Sequence, residues 1–113
     1  MVSDEINCNG MTQIDEYINS EPAVMCYFSH DECNVCKVLR PKIDEMQKNE
    51  FPRVKMIYCD TVKYPEIAAQ RGIFTVPTIL VFFEGKEFIR VSRNNSIDEL
   101  KRQIDRPYQM VFG

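Results

Sequence analysis

Two cysteines separated by two residues carry the clearest chemistry in this 113-residue chain. Cys33 and Cys36 enclose Asn34 and Val35, and the motif follows an apolar run over residues 24–28. Two thiols at this spacing can close a small disulfide and exchange it with another thiol, although the same spacing also occurs in zinc sites. Thiol–disulfide exchange is therefore the leading hypothesis for function, and a metal site built on the same pair is an alternative.

Hydrophobic periodicity and helix signals predict the elements around the motif. A first helix begins near Thr12 and is broken at Pro22, and the strand over residues 23–29 lacks the polar alternation of a half-exposed strand. The next helix begins at the cysteine pair, carries an apolar stripe and precedes a strand over residues 54–59. Pro65 then opens a third helix, because a proline in the first helical turn costs no hydrogen bond.

A hairpin and a last helix complete the predicted order. Residues 79–83 and 88–91 flank the turn signal at 84–86, and a capping box over 96–99 opens a helix that Pro107 is predicted to end. The alternating first half requires parallel strands joined by crossovers, whereas the hairpin adds antiparallel ones. The predicted fold class is α/β, a three-layer α/β/α sandwich with a central mixed sheet.

Length and charge limit the class of protein. One domain over residues 1–113 is expected, with 1–11 as a loose N-terminal segment or edge strand and 107–113 as a C-terminal tail. The net charge of −3 gives no case for nucleic acid binding, and no apolar run approaches the ~18 residues of a membrane helix. The acidic stretch after Met1 does not fit a secretory signal, so a cytoplasmic protein is expected, most simply a monomer.

From about Thr12 to Ile104 the chain resembles a thioredoxin. Besides the cysteine pair after a buried strand, the resemblance rests on residues at matching places along the chain, namely Lys37, Pro41, Asp60, Val76, Pro77 and Thr78. The pair alone is weak evidence, whereas the pair together with a Val-Pro-Thr element before a hairpin is specific. The resemblance implies the thioredoxin fold.

The resemblance also implies roles for individual residues. Cys33 is then the attacking nucleophile, Cys36 is the thiol that resolves the mixed disulfide, and a cis peptide bond precedes Pro77 beside the disulfide. The helix start supports the first role, because its unpaired N–H groups and positive dipole end favour a thiolate at Cys33. Lys37 favours the thiolate as well, whereas Glu32 opposes it.

The activity implied by the resemblance is reduction of disulfides in proteins or small molecules, as part of cell redox homeostasis. No cofactor is expected to bind, and the electrons come from NADPH through a thioredoxin-reductase-like donor. A non-enzymatic thioredoxin-like interaction module is a second hypothesis. A metal or iron–sulfur carrier that uses the cysteine pair is a third.

The chain departs from the thioredoxin pattern close to the cysteines. Asn34 and Val35 replace the usual Gly-Pro, which leaves the reduction potential open, and Glu32 stands where the family has an aromatic residue. Tyr27 replaces the family's buried Asp, six residues before the first cysteine, and Met56 replaces its Lys partner. Deprotonation of the resolving thiol therefore needs another route.

Two residues near the motif are candidates for that route, and two others for substrate contacts. His30, the only histidine, is one candidate base and Glu32 is the other, although both residue types are also common in solvated loops. Arg93 and Asn94 fall in the loop that borders the substrate groove in thioredoxins, where they would affect the choice of partner.

Three cysteines lie outside the motif. Cys26 and Cys59 fall in predicted strands and are expected to behave as small core residues. Cys8 is near the acidic N-terminus, where an exposed thiol can form adventitious dimers. Five cysteines are also an odd number, which fits poorly with a disulfide-stapled scaffold.

Overall fold

Five strands and four helices make up the part of the chain that the computed structural model describes, which is residues 5–7, 11–30, 34–92 and 97–112. Side chains are described in these ranges except at residues 5–7, 11–13 and 34–37. The elements in chain order are β1 (Glu5–Asn7), α1 (Met11–Ser20), β2 (Ala23–Ser29), α2 (Asn34–Glu50), β3 (Lys55–Asp60), α3 (Pro65–Gln70), β4 (Thr78–Phe83), β5 (Lys86–Ser92) and α4 (Ile97–Phe112). From α1 onward this is the order predicted from the sequence.

The strand β2 lies at the centre of a five-stranded sheet with the order β1-β3-β2-β4-β5. It runs parallel to β3 and antiparallel to β4, and β4 pairs antiparallel with β5. The short strand β1 pairs parallel with β3 at one edge of the sheet. Residues 23–28 of β2 are all buried, because the strand has a neighbour on each side and helices on both faces. The predicted mixed sheet is confirmed.

Each face of the sheet is covered by two helices, because successive residues of a strand point to opposite faces. On the first face, called the α2/α4 face, Met25 of β2 lies in one apolar cluster with Ile43 of α2. On the second face, called the α1/α3 face, Leu80 of β4 clusters with Ile14 of α1 and Ile67 of α3. The predicted three-layer sandwich is confirmed.

The last helix is longer than predicted, since α4 continues through Pro107 to Phe112. The prediction that Pro107 ends this helix is wrong, and residues 107–112 are helical instead of forming a separate tail. Although a proline inside a helix removes a backbone hydrogen bond, the turn that follows it here is held by packing. The Tyr108 ring lies 5.0 Å from the Phe51 ring and 4.8 Å from the Phe112 ring, measured between centroids.

The hairpin between β4 and β5 turns over two residues. Glu84 and Gly85 have φ values of 53° and 82°, and Lys86 is already the first residue of β5. Two successive positive φ values match the right-handed twist of the flanking strands. The predicted hairpin is confirmed, with a turn one residue shorter than the sequence signal.

Candidate functional site

The junction between β2 and α2 carries the cysteine motif. β2 ends at Ser29 and α2 begins at Asn34, so Cys36 lies in the first turn of the helix. Val35 and Lys37 lie in the same turn. Backbone N–H groups without helical partners and the positive end of the helix dipole are found in a first turn. A cysteine at this position therefore lies where negative charge is favoured.

Several residues predicted to act at the site lie outside the described residues. They are Glu32, Cys33, Arg93 and Asn94, and Cys8 also lies outside. Their roles stay predictions from the sequence and from the thioredoxin resemblance.

The Val76-Pro77 segment lies at the end of the sheet where α2 starts. Thr78 opens β4 and pairs with Phe28 of β2, so the residues before Thr78 lie beside those that follow β2. The Val76–Pro77 peptide bond is cis, and Pro77 is buried. The Thr78 hydroxyl donates a hydrogen bond of 2.7 Å to the carbonyl oxygen of Thr75 and so ties the loop to the strand. The start of α2 and the Val76-Pro77 segment thus lie at the same end of the sheet.

His30 directly follows β2 and is partly exposed. It lines a cavity of about 410 Å³ together with Ile73, Phe74 and Val76. Its Nδ1 atom is buried and has no hydrogen-bond partner among the described residues. Because burying a polar atom without a hydrogen bond costs free energy, this nitrogen is available to hydrogen-bond a group that enters the cavity.

Tyr27 stands on the α2/α4 face, where the thioredoxin pattern has a buried carboxylate. It is 0% exposed, and burial raises its pKa to about 12, with smaller Coulombic effects from Arg40, which lowers the pKa, and Asp44, which raises it. The hydroxyl therefore keeps its proton at neutral pH and is not a base. Met56 lies in the same apolar cluster, so β3 supplies no cation at that position.

Four side chains form a group that the sequence analysis did not single out as a unit. The Tyr58 hydroxyl donates a hydrogen bond to Asp44 Oδ1, and the guanidinium carbon of Arg40 lies 3.8 Å from the centroid of the Tyr58 ring. The Tyr27 and Tyr58 rings meet edge to face, 5.5 Å between centroids. We call Tyr27, Arg40, Asp44 and Tyr58 the tyrosine–arginine cluster. Its sequence signal is the spacing of Arg40 and Asp44, which lie four residues apart in α2.

Asp60 ends β3 and shapes the turn that follows. Its carboxylate accepts hydrogen bonds from the backbone N–H groups of Val62 and Lys63, at 2.9 and 3.1 Å. The N–H of Thr61 donates to the carbonyl oxygen of Ser29 at 2.9 Å, which joins the ends of β3 and β2. Asp60 therefore supports the scaffold on which the site is built.

Cys26 and Cys59 lie in the core of the α1/α3 face, 1% and 2% exposed, as predicted. Within the residues that the structure describes, no three His, Cys, Asp or Glu side chains are arranged to hold a metal ion. None of the described helices is long and apolar enough to cross a membrane.

Comparison with known sequences places the chain among thioredoxins. The thioredoxin family model matches residues 7–106. The thioredoxin-like protein YdfQ of Bacillus subtilis is 27% identical over 105 residues, which are 93% of each chain. A thioredoxin of Griffithsia pacifica is 32% identical over 73 residues, 65% of this chain and 67% of that one.

Solved structures agree with the sequence comparison. Mitochondrial thioredoxin 3 of Saccharomyces cerevisiae, in its oxidized form, superposes with a TM-score of 0.81 at 19% identity, covering 91% of this chain and 96% of that one. The thioredoxin of Fasciola hepatica superposes with a TM-score of 0.79 at 25% identity, covering 89% and 97% of the two chains. Together with the match over residues 7–106, these likenesses show that the chain belongs to the thioredoxin family, whose fold and chemistry are those of thiol–disulfide oxidoreductases.

Proposed function

We propose that this protein reduces disulfides in proteins or small molecules through a cycle in which Cys33 and Cys36 alternate between dithiol and disulfide. The observation that best supports the proposal is the position of Cys36 in the first turn of α2, the helix that follows the buried strand β2 along the chain. The Val76-Pro77 segment lies at the same end of the sheet, in a chain of the thioredoxin family.

The reaction has two exchange steps. In the first, the Cys33 thiolate attacks one sulfur of the substrate disulfide, which forms a mixed disulfide and releases one substrate thiolate. In the second, the Cys36 thiolate attacks the Cys33 sulfur, which releases the other substrate thiolate and leaves a Cys33–Cys36 disulfide. Two electrons pass from the protein to the substrate, and the two substrate thiolates take up protons.

The chain's own groups favour both steps. The positive end of the α2 dipole and Lys37 stabilise a thiolate at the start of the helix, whereas Glu32 opposes it. An extended substrate segment can pair with the backbone before Pro77, as in other cases of strand addition. Arg93 and Asn94 would then border the groove.

The proposed cycle needs an outside source of electrons. We assign this to NADPH, delivered by a thioredoxin-reductase-like partner, with no cofactor bound to the chain itself. The proposed location is the cytoplasm, where structural disulfides are rare and a close cysteine pair is typically catalytic. The proposed role there is maintenance of the cell's redox balance by a monomer.

Reduction of insulin disulfides tests the proposed function. With dithiothreitol as donor, Cys33→Ser is expected to lower the rate to that of dithiothreitol alone, because it removes the thiolate that attacks the substrate disulfide. Cys36→Ser is expected to trap mixed disulfides that non-reducing gels detect. Cys8→Ser is the matched control, since it removes a thiol outside the pair, and it should retain the full rate. Full activity of Cys33→Ser would contradict the mechanism.

A second candidate, an interaction module without redox turnover, is favoured by one observation. Tyr27 keeps its proton and Met56 is apolar, so the Asp and Lys pair of the family pattern is missing. The same insulin measurement separates the candidates. An unmodified protein that reduces insulin no faster than dithiothreitol alone would favour the module.

A further inference from the structure

The tyrosine–arginine cluster places an arginine one helical turn after Cys36 in α2. Arg40 follows Cys36 by four residues in α2, and residues four apart share one face of a helix. Long helical side chains also lean over the preceding turn, which is the turn that holds Cys36. Arg40 is thus the first cation on the helix face of Cys36 along α2.

The guanidinium of Arg40 is held by the sheet beneath it. It lies 3.8 Å from the centroid of the Tyr58 ring, an arrangement in which the electron-rich ring face attracts the cation. The Tyr58 hydroxyl donates to Asp44, and the Tyr27 ring packs edge-on against Tyr58. The two rings therefore form a fixed platform under an otherwise flexible arginine.

Along α2 the arginine of the cluster is nearer to Cys36 than the aspartate is. With the rise of a regular α-helix, the backbone of Arg40 is about 6 Å and that of Asp44 about 12 Å from the backbone of Cys36 along the axis. Because Coulomb energy falls with distance, we expect attraction of a Cys36 thiolate by Arg40 to exceed its repulsion by Asp44.

We propose that Arg40 is a positioning residue that favours the thiolate of Cys36 and so speeds resolution of the mixed disulfide. This inference rests on the proposed function. With Tyr27 and Met56 in place of the family's Asp and Lys, the Cys36 proton passes to water, and a nearby cation lowers the free-energy cost of the thiolate that remains. Arg40 acts through charge and takes no part in bond making.

Other groups near the start of α2 do not supply this charge. Besides the cluster, the titratable and charged groups on the surrounding elements include Lys37, His30 and Asp60, with Asp98 and Lys101 on α4 and with Asp31, Glu32 and Cys33 outside the described residues. Lys37 follows Cys36 directly, and adjacent positions do not face each other on a helix. The Asp60 carboxylate accepts a hydrogen bond from the backbone of the turn that follows β3. The Lys101 ammonium lies 3.6 Å from the Glu50 carboxylate, at the far end of α2.

The resolving step can be followed by itself with an aromatic disulfide. Reduced protein carrying Cys8→Ser is mixed with one equivalent of dithiobis(nitrobenzoate), whose released thiolate is coloured. Attack by Cys33 releases the first nitrothiobenzoate, and attack by Cys36 on Cys33 releases the second and leaves the internal disulfide. The rate of the second release against pH reports the ionisation of Cys36, and Cys36→Ser identifies the first release.

Arg40→Met keeps an unbranched side chain over the Tyr58 ring and removes the charge. It should raise the midpoint of the second-release pH profile by about one unit. The rate near neutral pH should fall about threefold, because a tenfold loss of thiolate is partly offset by the higher nucleophilicity of the more basic thiolate. Arg40→Lys should restore most of the rate. Asp44→Asn keeps an acceptor for Tyr58 and should move the midpoint slightly the opposite way, which a purely structural role would not do.

Arg71→Met is the matched control. Arg71 also lies over an aromatic ring, 5.4 Å from the centroid of Phe82, and pairs with Asp15 at 2.5 Å, but on the α1/α3 face. Its substitution should leave the midpoint unchanged. An unchanged midpoint in Arg40→Met, or an equal shift in Arg71→Met, would overturn the inference. Absence of any second release from the parent protein would instead contradict the proposed function.

Discussion

The two faces of the sheet differ in the side chains that they bury. The α1/α3 face buries aliphatic and phenyl side chains with two cysteines, Cys26 and Cys59. The α2/α4 face buries Tyr27 and Tyr58 beneath charged residues of the helix that carries Cys36. Burying a phenol hydroxyl costs free energy unless the hydroxyl has a hydrogen-bond partner. We therefore expect the buried tyrosines to have a role that apolar side chains could not fill.

The two faces also differ in how closely an arginine lies over an aromatic ring. Arg71 lies 5.4 Å from the Phe82 ring centroid, whereas Arg40 lies 3.8 Å from the centroid of Tyr58. Only the second ring carries a hydroxyl, which donates to Asp44. The arginine over an aromatic ring is therefore more closely held on α2 than on the opposite face. We expect the α1/α3 face to serve stability alone and the α2/α4 face to serve the proposed chemistry as well.

The largest expected effect on stability is on the α1/α3 face. Leu80 is fully buried there, and Leu80→Ala should lower the free energy of unfolding by about 2–5 kcal/mol, because it leaves a cavity in a packed core. Denaturant unfolding measures the loss. The pH midpoint of the resolving step should not move, and a shift of that midpoint would show that the two faces are not separable.

A smaller effect is expected from the buried phenol of the α2/α4 face. Burial raises the pKa of Tyr27 to about 12, so the folded state holds this proton more tightly than the unfolded chain. The stability it contributes is fully present below the unfolded pKa near 10, and it is lost as pH rises toward 12. Tyr27→Phe should remove about 1.4 kcal/mol of that alkaline loss at pH 11, halfway between the two pKa values.

Unfolding by urea between neutral pH and pH 11 measures this difference. The parent should lose more stability over this range than Tyr27→Phe. Tyr17→Phe is the control, because Tyr17 lies at the partly exposed rim of the α1/α3 face. Equal alkaline losses in the parent and in Tyr27→Phe would contradict the buried, neutral state of Tyr27.

The smallest effect is expected from the exposed ion pair on the α1/α3 side. Asp15→Asn removes the partner of Arg71, and partly exposed pairs of this kind contribute about 0–1 kcal/mol. Thermal unfolding at low and high salt measures the change. A larger loss than this range would mean that the pair is part of the core of that face.

The sequence predicted most of the fold because its signals are local. The unbroken apolar run of β2, the stripe of α2 and the turn before Lys86 each determine an element from neighbouring residues. The end of α4 could not be predicted in this way, because Pro107 is a local stop signal. Packing of Tyr108 on Phe51, across the fold, outweighs it.

The site was predicted only in part, because only some of its features are local sequence patterns. The cysteine motif and Val76-Pro77 are sequence patterns, and pairing of Thr78 with Phe28 brings them to one end of the sheet. The tyrosine–arginine cluster joins α2 to β3 through a ring contact and a side-chain hydrogen bond. Contacts between distant segments leave no periodic signal in a single sequence, so this part of the site could be found only in three dimensions.

The reduction potential of the Cys33–Cys36 couple is the most direct test of the central claim. The protein is equilibrated in dithiothreitol and glutathione buffers, and peptide mapping locates the disulfide that forms. We expect a two-electron couple between Cys33 and Cys36 near the thioredoxin value of about −270 mV. A value of about −180 to −120 mV, or no disulfide between these two cysteines, would contradict a disulfide reductase.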